Sequence, residues 1–375
     1  MSVIVITSLQ ELEPYIKAWD DLALNAIESN PCYESWMLIP AMRYLAKGKK
    51  LQIVLVIKET PENPPQLIGL FPFVKELVFH NFFFPHYTLW HYPQCLLCTP
   101  LVDKDNISEC LTQLLTFVDG LKFPICLVRL KLIRGDGPFY QNLLEALAKH
   151  GNRSDEAFFD RALLEAQPSL STEEFMKAAM SPNARHEMRR KRNNLAKLGN
   201  VEILNLTSAD DVEYWLNTLL NLEDGGWKGK KGTSLIAIPE EKKFYEAAFR
   251  SAFKRGQLLA QMMTLDGKPI AILAEFLAAD KGALYASKTA FDEDFSKYSP
   301  GALLLQSVTE QFLKHQGFEY LDSCAEPNQV MFNRAWKERR LIKHINLSTK
   351  NTLSRLIVNL FSKLRKRRSA ATLQC

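Results

Sequence analysis

Several common signals of location and chemistry are missing from this sequence. No stretch approaches about 20 apolar residues without a charge, so no transmembrane helix is predicted. The opening residues, MSVIVITSLQELEPY, carry no Lys or Arg before their short apolar run, which argues against a secretion signal. Seven cysteines, an odd number, follow no disulfide framework. Reduced thiols and a cytoplasmic location are therefore expected.

Motifs for nucleotide binding and for serine hydrolysis are also missing. The glycines of Gly225–Gly232 lie close together, but no pair has the Gly-x4-Gly-Lys-Ser/Thr spacing of a Walker loop. No Gly-x-Gly-x-x-Gly follows a predicted strand, and no Gly-x-Ser-x-Gly elbow exists. His150 and Asp155 fit the His-x4-Asp pattern of glycerolipid acyltransferases, but the glycine-rich phosphate block that should follow is absent.

Metal ligands are sparse. His86, His91, Cys95 and Cys98 have ligand types and spacings that a zinc site tolerates. A lone Cys-x-x-Cys among Leu and Trp is more often a pair of buried small hydrophobic residues. We therefore expect no metal.

The composition is that of a folded protein without a strong charge bias. Hydrophobic residues make up 47% and charged residues 24%, enough for a sizeable core, and 375 residues suggest two domains. The formal net charge is +5, so nucleic acid is not expected as a partner of the chain as a whole. Local basic patches need separate interpretation.

The order of elements is similar in the two halves. Residues 51–57 and 66–74 flank a polar, proline-rich turn, and residues 258–265 and 270–278 flank Asp-Gly, a strong hairpin signal. Strands and helices alternate after each hairpin, which predicts α/β layering. In the first half they comprise helix 107–120, strand 125–131, helix 137–149 and strand 157–164. In the second half they comprise strand 283–291, helix 301–316, strand 318–322, helix 329–337 and strand 341–347. We predict an α/β fold with two tandem domains, each a mixed sheet flanked by helices.

The predicted domains are residues 1–168 and 169–348, followed by a basic tail at 349–375. The seam lies near Ala166–Ser171, where a capping box, Ser171-Thr-Glu-Glu174, opens a new helix. Leu353, Ile357, Leu360, Phe361 and Leu364 share one face of a predicted helix within residues 351–368. This basic amphipathic helix either docks on its own protein or lies on an anionic membrane.

Two segments of the second predicted domain carry unusual charge. Residues 181–199 predict a helix with a thin apolar stripe, Met188 and Leu195, and basic side chains elsewhere, including Arg185 and Arg189. The basic side chains form either a solvated face or a cationic wall beside an anionic ligand. Residues 220–234, LNLEDGGWKGKKGTS, are either a mobile connector or a loop at a substrate entrance, where Trp227 and Lys228 would line the mouth.

The stretch from Ala283 to Asp322 contains the best candidate for an anion site. Ser299 is suited to the N-cap of the following helix, with Pro300 at its first position and Gly301 at its second. The first turn would then point backbone N–H groups outward at the positive end of the helix dipole. An ordinary capped helix is the alternative.

Three motifs in order resemble the CelD-type acetyltransferases, which belong to the GNAT superfamily and are related to FemAB-like peptidyltransferases. They are the Arg-rich segment 185–199, Leu-Glu-x-x-Gly-Trp-Lys-Gly-x-x-Gly-Thr at 222–233, and Phe-Asp-x-x-Phe-x-x-Tyr-Ser-Pro-Gly-x-x-Leu-Leu at 291–304. Ala335-Trp336 matches a closing Trp. The resemblance covers residues 170–340 in detail and the first half only as a degenerate GNAT-like domain. Phe332-Asn333 replaces the Tyr-Lys found in many family members.

The resemblance implies an acyl-CoA donor, acetyl-CoA foremost, and a small-molecule amine acceptor. By analogy, the CoA contacts are Tyr285, Ser287, Lys288, Tyr298, Ser299, Gly301 and Ala302. Asp322 and Glu223 are candidate general bases, and Tyr298 is a candidate acid toward sulfur. Either carboxylate would need burial to raise its pKa toward neutrality. Trp227, Lys228, Arg185 and Arg189 are candidate contacts of the acceptor.

Two other readings stay open. A FemAB-like enzyme would take its acyl group from aminoacyl-tRNA, and its basic helix would contact RNA phosphates. A catalytically decayed protein would act at an anionic membrane surface through residues 351–368.

Overall fold

The protein is described here by a computed structural model, which covers residues 1–60, 63–79, 81–122, 124–125, 127–150, 153–167, 172–352 and 354–356. The chain divides into two compact units. The first contains residues 1–42, 46–160 and those from 340 onward, and the second contains residues 43–45 and 161–339.

The first unit is built on a mixed sheet. Its strands run in the order β1-β2-β3-β4-β6-β13, with β5 beside β3. Neighbours are antiparallel except for the parallel pair β4–β6. The bounds are β1 Ser2–Ile6, α1 Leu9–Leu12, α2 Ile16–Leu24, α3 Ser35–Leu45, β2 Leu51–Thr60, β3 Asn63–Phe79, β4 Phe82–Leu89, β5 Leu101–Val102, α4 Ile107–Gly120, β6 Leu127–Arg134, α5 Pro138–His150, β7 Arg153–Glu165 and β13 Glu338–Ser348.

The second unit carries the more informative half of the sequence. Its strands run in the order β7-β12-β11-β10-β9-β8, β7 contributing its last residues. The bounds are α6 Thr172–Ala179, α7 Pro182–Ala196, β8 Val201–Asn205, α8 Val212–Gly225, α9 Trp227–Lys230, α10 Pro239–Lys254, β9 Leu258–Leu265, β10 Lys268–Leu277, β11 Ala283–Phe291, α11 Pro300–Lys314, β12 Tyr320–Asp322 and α12 Val330–Ala335. Its core includes Leu273, Leu304, Phe312, Leu321 and Trp336.

The predicted α/β class, with mixed sheets flanked by helices, is confirmed. Both predicted hairpins form, since β2 pairs with β3 and β9 with β10. The helix predicted over 181–199 is α7, where Ser181 Oγ accepts the Ala184 N–H and Leu195 is fully buried. Ser171 and residues 357–375 lie outside the described residues, so the capping box and most of the basic tail are not described.

The last strand predicted for each half pairs with a strand of the other half. Leu163 in β7 pairs with Asp322 in β12, inside the second unit. Ile345 in β13 pairs with Leu130 in β6, inside the first unit. The compact units therefore divide the chain near residues 160 and 339, whereas the sequence division lies at 168 and 348. Strand pairing over such separations leaves no local trace in the sequence.

Among the residues that the structure describes, no helix combines the length and the apolar character that crossing a bilayer requires.

Candidate active site

A cavity of about 930 Å³ opens in the second unit over the start of α11. Helix α7 contributes Met188 and Lys191 to its wall, α11 contributes Gly301 and Gln306, and α12 contributes Arg334. Glu187 also lines it and forms an ion pair with Lys191 at 3.0 Å. The cavity is large enough for a ligand of several hundred daltons and has cationic groups beside an apolar floor.

Ser299 turns the chain into α11 in a way that the sequence did not predict. It occupies the N-cap position but has left-handed backbone angles, φ 53° and ψ 53°. Its side chain makes no capping hydrogen bond, and its Oγ accepts from Lys191 Nζ at 2.8 Å. The expected side-chain cap is therefore wrong, and Ser299 instead tethers α7 to the start of α11.

The start of α11 offers fewer free N–H groups than predicted. Pro300 has none, and the N–H groups of Ala302 and Leu303 both donate to the Ser299 carbonyl oxygen. Among the described residues, the Gly301 N–H has no acceptor. The anion site at this helix is thus one N–H group beside Lys191, not a full turn.

Gly301 keeps its N–H accessible without being required by the packing. A Cβ placed there would lie 3.5 Å from Phe291, 3.7 Å from Thr289 and 3.8 Å from Met331, which are ordinary contacts. The fold has room for a side chain at this position, so the absence of one enlarges the cavity.

Strands β11 and β12 pair in parallel only over the first three residues of β11. Pairing covers Ala283–Tyr285 against Tyr320–Asp322, while β11 continues along β10 to Phe291. Beyond Tyr285 the backbone of β11 has no ladder partner on the β12 side among the described residues. The family resemblance implies a splayed pair of strands here, and this stays a prediction.

A bulge in β11 sets the direction of two candidate side chains. Ala286 pairs with Glu275 and Lys288 pairs with Ala274, so Ser287 is the extra residue. A bulge leaves its extra residue unpaired and breaks the alternation of side chains. Ser287 Oγ reaches the Tyr245 hydroxyl at 3.1 Å, and Lys288 also points to this face.

Glu223 lies at the centre of a buried charge cluster. Its Oε1 accepts from Lys228 Nζ at 2.7 Å and from Lys288 Nζ at 2.8 Å. Its Oε2 accepts the Leu235 N–H at 2.9 Å. Glu223 and Lys288 are 4% and 8% exposed, so one carboxylate is matched by two ammonium groups with little water.

The electrostatics of this cluster oppose the predicted role of Glu223. Burial by itself raises the pKa of Glu223, but Lys288, Lys228 and the Leu235 N–H together lower it below its ordinary value. Burial lowers the pKa of Lys288, and Lys228 lowers it further, against the opposing effect of Glu223. A general base near neutral pH needs the opposite direction, so a catalytic role of Glu223 stays a prediction without support from its pKa.

Asp322, the other candidate base, is held in a buried ion pair. Its Oδ1 lies 2.7 Å from Arg161 Nε, and its Oδ2 accepts from Arg161 Nη2 at 2.9 Å. Oδ1 also accepts the Cys324 N–H at 2.9 Å. Asp322 is 0% exposed and Arg161 2%, which is typical of a structural pair.

The remaining catalytic and donor candidates lie in different places. Tyr298 ends a short 3-10 helix, Glu293–Tyr298, packs against the core of the second unit and carries Lys297 over its ring at 4.9 Å. It does not line the cavity. Tyr285 is buried, and its hydroxyl lies 2.8 Å from that of Tyr320. The cavity wall therefore includes Ser299, Gly301 and Ala302 from the predicted donor set.

The segment Leu220–Ser234 contains the end of α8 and the short helix α9. Gly229 permits its close approach to α8, since a Cβ there would lie 1.7 Å from the Asp224 carbonyl oxygen. Trp227 is 54% exposed and, with Glu223 and Lys228, lines a small cleft of about 40 Å³ that also touches Thr289 of β11. The prediction that Trp227 and Lys228 meet the acceptor is compatible with this placement and remains untested.

Arg185 and Arg189 are not among the residues that line either the cavity or this cleft. The face of α7 toward the cavity carries Ala184, Glu187, Met188 and Lys191 instead. Lys191 is the cationic contact that sequence reasoning missed. Its spacing of three residues from Met188, on the predicted apolar stripe, was the available signal.

A buried carboxyl group of the second unit with a strongly raised pKa was also missed. Glu275 in β10 is 5% exposed, its Oε1 has no hydrogen-bond partner, and burial raises its pKa to about 8. The signal was a single charged residue within the apolar run IAILAEFLA.

Two further sequence features are the stretch Phe332–Trp336 and the Cys95–Cys98 pair. Trp336 is fully buried and donates from Nε1 to Thr309 Oγ1 at 3.0 Å, while Asn333 donates to the Pro327 carbonyl oxygen at 2.6 Å. Cys95 and Cys98 are buried with their sulfur atoms 3.8 Å apart. The described residues contain no group of three or more side chains placed to hold a metal ion.

Comparison with solved structures finds the same fold over nearly the whole chain. FemX superposes with a TM-score of 0.56 at 10% identity, over 96% of this chain and 100% of its own. A conserved protein of unknown function from Bacteroides thetaiotaomicron gives 0.54 at 11%, over 93% and 100%. The C-terminal domain of a protein described as a lysylphosphatidylglycerol synthetase, from Agrobacterium fabrum, gives 0.53 at 11%, over 92% and 94%. Such low identity establishes a shared fold and nothing about activity.

Comparison with curated proteins gave no match. A family model for the acetyltransferase (GNAT) domain matches residues 182–338, which run from α7 to the start of β13. This range contains strands β11 and β12, the Glu223 cluster and the cavity over α11, except for the cavity residues Met176, Ala179, Met180 and Ser181. Residues 182–338 are thus similar to the acetyltransferase (GNAT) domain.

Proposed function

We propose that the protein is an N-acyltransferase that takes its acyl group from acyl-CoA and transfers it to a small amine. The observation that carries the proposal is the 930 Å³ cavity over the start of α11, with the free Gly301 N–H and Lys191 at its wall. Phosphate oxygens suit an N–H group at the positive end of a helix with a lysine beside it. The neighbouring unpaired edge of β11 offers N–H and C=O groups to the amide-bearing arm of CoA.

The transfer requires one bond to form and one to break. The amine nitrogen attacks the thioester carbon, the carbon–sulfur bond breaks, the nitrogen loses a proton and the thiolate gains one. The unpaired backbone at the Ser287 bulge is suited to stabilise the oxyanion of the intermediate. Asp322, Glu223 and Tyr298 stay proposals for the proton transfers. Because both carboxylates are held in ion pairs, positioning is the dominant contribution that this chain's groups can offer.

Acetyl-CoA or a longer acyl-CoA should stabilise the protein, and Gly301→Ala should weaken this effect. At a concentration 100 times Kd, binding should raise Tm by about 5–10 °C. Gly301→Ala places a methyl group in the cavity wall, so Kd should rise about tenfold while Tm without ligand holds. Differential scanning fluorimetry and calorimetric titration measure both quantities.

Gly282→Ala is the matched control, because its Cβ would contact only Glu319 at 3.4 Å. It should bind acyl-CoA like the wild type. No thermal shift with any acyl-CoA would overturn the proposed donor. An equal Kd for Gly301→Ala and the wild type would move the donor away from α11.

Removing the Trp227 side chain should affect the acceptor and spare the donor. The indole is held over the cleft by Lys231, whose Nζ lies 5.1 Å from the ring centroid. Trp227→Ala should raise KM for the best amine about tenfold, by loss of apolar contact, and leave the Kd of acyl-CoA nearly unchanged. Tyr214→Ala is a matched control, since Tyr214 is also 54% exposed. Measurement of free CoA thiol against amine concentration tests this, and equal losses for donor and acceptor would show that α9 is only structural.

A second candidate is transfer from aminoacyl-tRNA. One observation favours it: Arg189, Arg190 and Arg192 are exposed on α7 and lie outside the cavity lining, where they are accessible to a polyanion. Binding of tRNA with a steep salt dependence, combined with no response to acyl-CoA, would favour this donor.

A further inference from the structure

An exposed apolar hairpin end stands out in the first unit, far in sequence from the GNAT domain. Leu77 and Val78 at the end of β3 are 51% and 57% exposed, and Phe82 and Phe83 at the start of β4 are 67% and 77% exposed. We call these four side chains the apolar tip. Soluble proteins seldom expose adjacent large apolar side chains without a partner.

The register of the hairpin holds the apolar tip outward. Val78 pairs with Phe83 and Phe79 with Phe82, and an irregularity between Glu76 and Val78 breaks the alternation, so that Leu77 and Val78 are both exposed. Phe79 turns inward, packs on Leu127 and Phe84, and carries Arg129 over its ring at 5.7 Å. The buried Phe79 thus anchors the hairpin that carries the apolar tip.

Basic residues lie behind the apolar tip. Lys75, Lys49 and Lys50 line a recess of about 400 Å³, together with Thr7, Gln52 and Tyr87 and without any acidic side chain in its described lining. The Lys75 N–H donates to the Lys50 carbonyl oxygen at 3.1 Å, which joins the two segments. Lys75 precedes Val78 by three residues, a distance of roughly 10 Å along a strand. The apolar side chains thus lie outermost at the end of the hairpin, and the cationic groups lie behind them.

We propose that the apolar tip inserts into the surface of an anionic bilayer, with Lys75, Lys49 and Lys50 contacting lipid phosphates. Interfacial apolar groups enter a bilayer by about 5–10 Å, and basic residues at headgroup depth add electrostatic attraction. The separation between the tip and its lysines matches this layering. Phe and Leu beside Lys are the residue types that such surfaces use.

A second copy of the chain fits the same surface less well. A twofold contact brings the same patch of both subunits together. Lys75, Lys49 and Lys50 would then face their own copies, and like charges at close range repel. The bilayer supplies the opposite charge instead.

The test is co-sedimentation of the full chain with vesicles. The wild type should bind mixed phosphatidylglycerol–phosphatidylcholine vesicles and bind pure phosphatidylcholine vesicles much more weakly. Phe82→Ser with Phe83→Ser should lower the partition coefficient on mixed vesicles at least about tenfold, since burial of two Phe side chains is lost. Lys49→Glu with Lys75→Glu should remove the preference for the anionic lipid.

Leu24→Ser is the matched control, because Leu24 in α2 is 59% exposed in the same unit. It should bind vesicles like the wild type. Thermal unfolding without vesicles should be the same for all variants, which separates loss of docking from loss of folding. Wild-type binding by the Phe82/Phe83 variant would overturn the proposal and assign binding to another segment, such as residues 351–368. Dimerisation that the same substitutions abolish, without vesicle binding, would also overturn it.

Discussion

Replacing Arg161 with methionine should lower the free energy of unfolding by about 3–5 kcal/mol. The substitution leaves Asp322, which is 0% exposed, as a buried carboxylate without its bidentate partner. Both residues lie on adjacent strands, β7 and β12, so loss of the pair also weakens the contact between these two strands. Urea denaturation followed by tryptophan fluorescence measures the change.

A double substitution makes this expectation specific. Arg161→Met with Asp322→Asn removes the uncompensated charge and keeps a carbonyl oxygen for the Cys324 N–H, so most of the lost stability should return. Lys17→Met breaks an exposed pair, Lys17–Asp21, and should change stability little. If the double variant is no more stable than Arg161→Met, the buried charge is not the cause of the loss.

The pH dependence of stability should change when Glu275 becomes glutamine. Burial raises the native pKa of Glu275 from 4.5 to about 8, so between these values the native state holds a proton that the unfolded state has released. Stability from this group is therefore fully present below pH 4.5 and falls as the pH rises to about 8. At about 1.4 kcal/mol per pH unit, the loss reaches up to about 5 kcal/mol.

Glu275→Gln removes that titration, so its free energy of unfolding should fall less than that of the wild type across this window. Glu28, which is 5% exposed and whose pKa burial raises to about 7, contributes a slope of the same sign in both proteins. The measured quantity is therefore the difference between the two curves, from urea denaturation at pH values from about 5 to about 9. Glu202→Gln, an exposed substitution on β8, should follow the wild type. Parallel curves for Glu275→Gln and the wild type would show that Glu275 is hydrated or paired in solution.

Most of the fold could be predicted from local patterns in the sequence. Asp-Gly between two apolar runs predicted the β9–β10 hairpin, and the helix over 107–120 has the bounds of α4. These features depend on neighbours in the chain, so a single sequence contains them. Less of the candidate site could be predicted from the sequence. Lys288 reaches Glu223 only because of the Ser287 bulge, and neither the bulge nor its partner strand has a local signature in the sequence.

The remaining differences between prediction and structure come from the partners that side chains find in the fold. Ser299 has the residue type, the following proline and the position of an N-cap, yet its Oγ bonds to Lys191 from α7. A carboxylate such as Glu223 has the same appearance in a sequence whether its neighbours raise or lower its pKa. Only the three-dimensional arrangement of Lys228 and Lys288 settles the direction.

The placement of β13 has a consequence for biosynthesis. Domains generally complete folding in the order in which the ribosome delivers them, the N-terminal one first. Here β6 in the first unit already has β4 on one side, but it gains its second neighbour, β13, only when residues 342–348 have been translated. That happens after all of residues 161–339. The second unit therefore has its full complement of strands earlier than the first. During that interval the nascent first unit presents the unpaired edge of β6, and protection of this edge becomes a task for ribosome-associated chaperones.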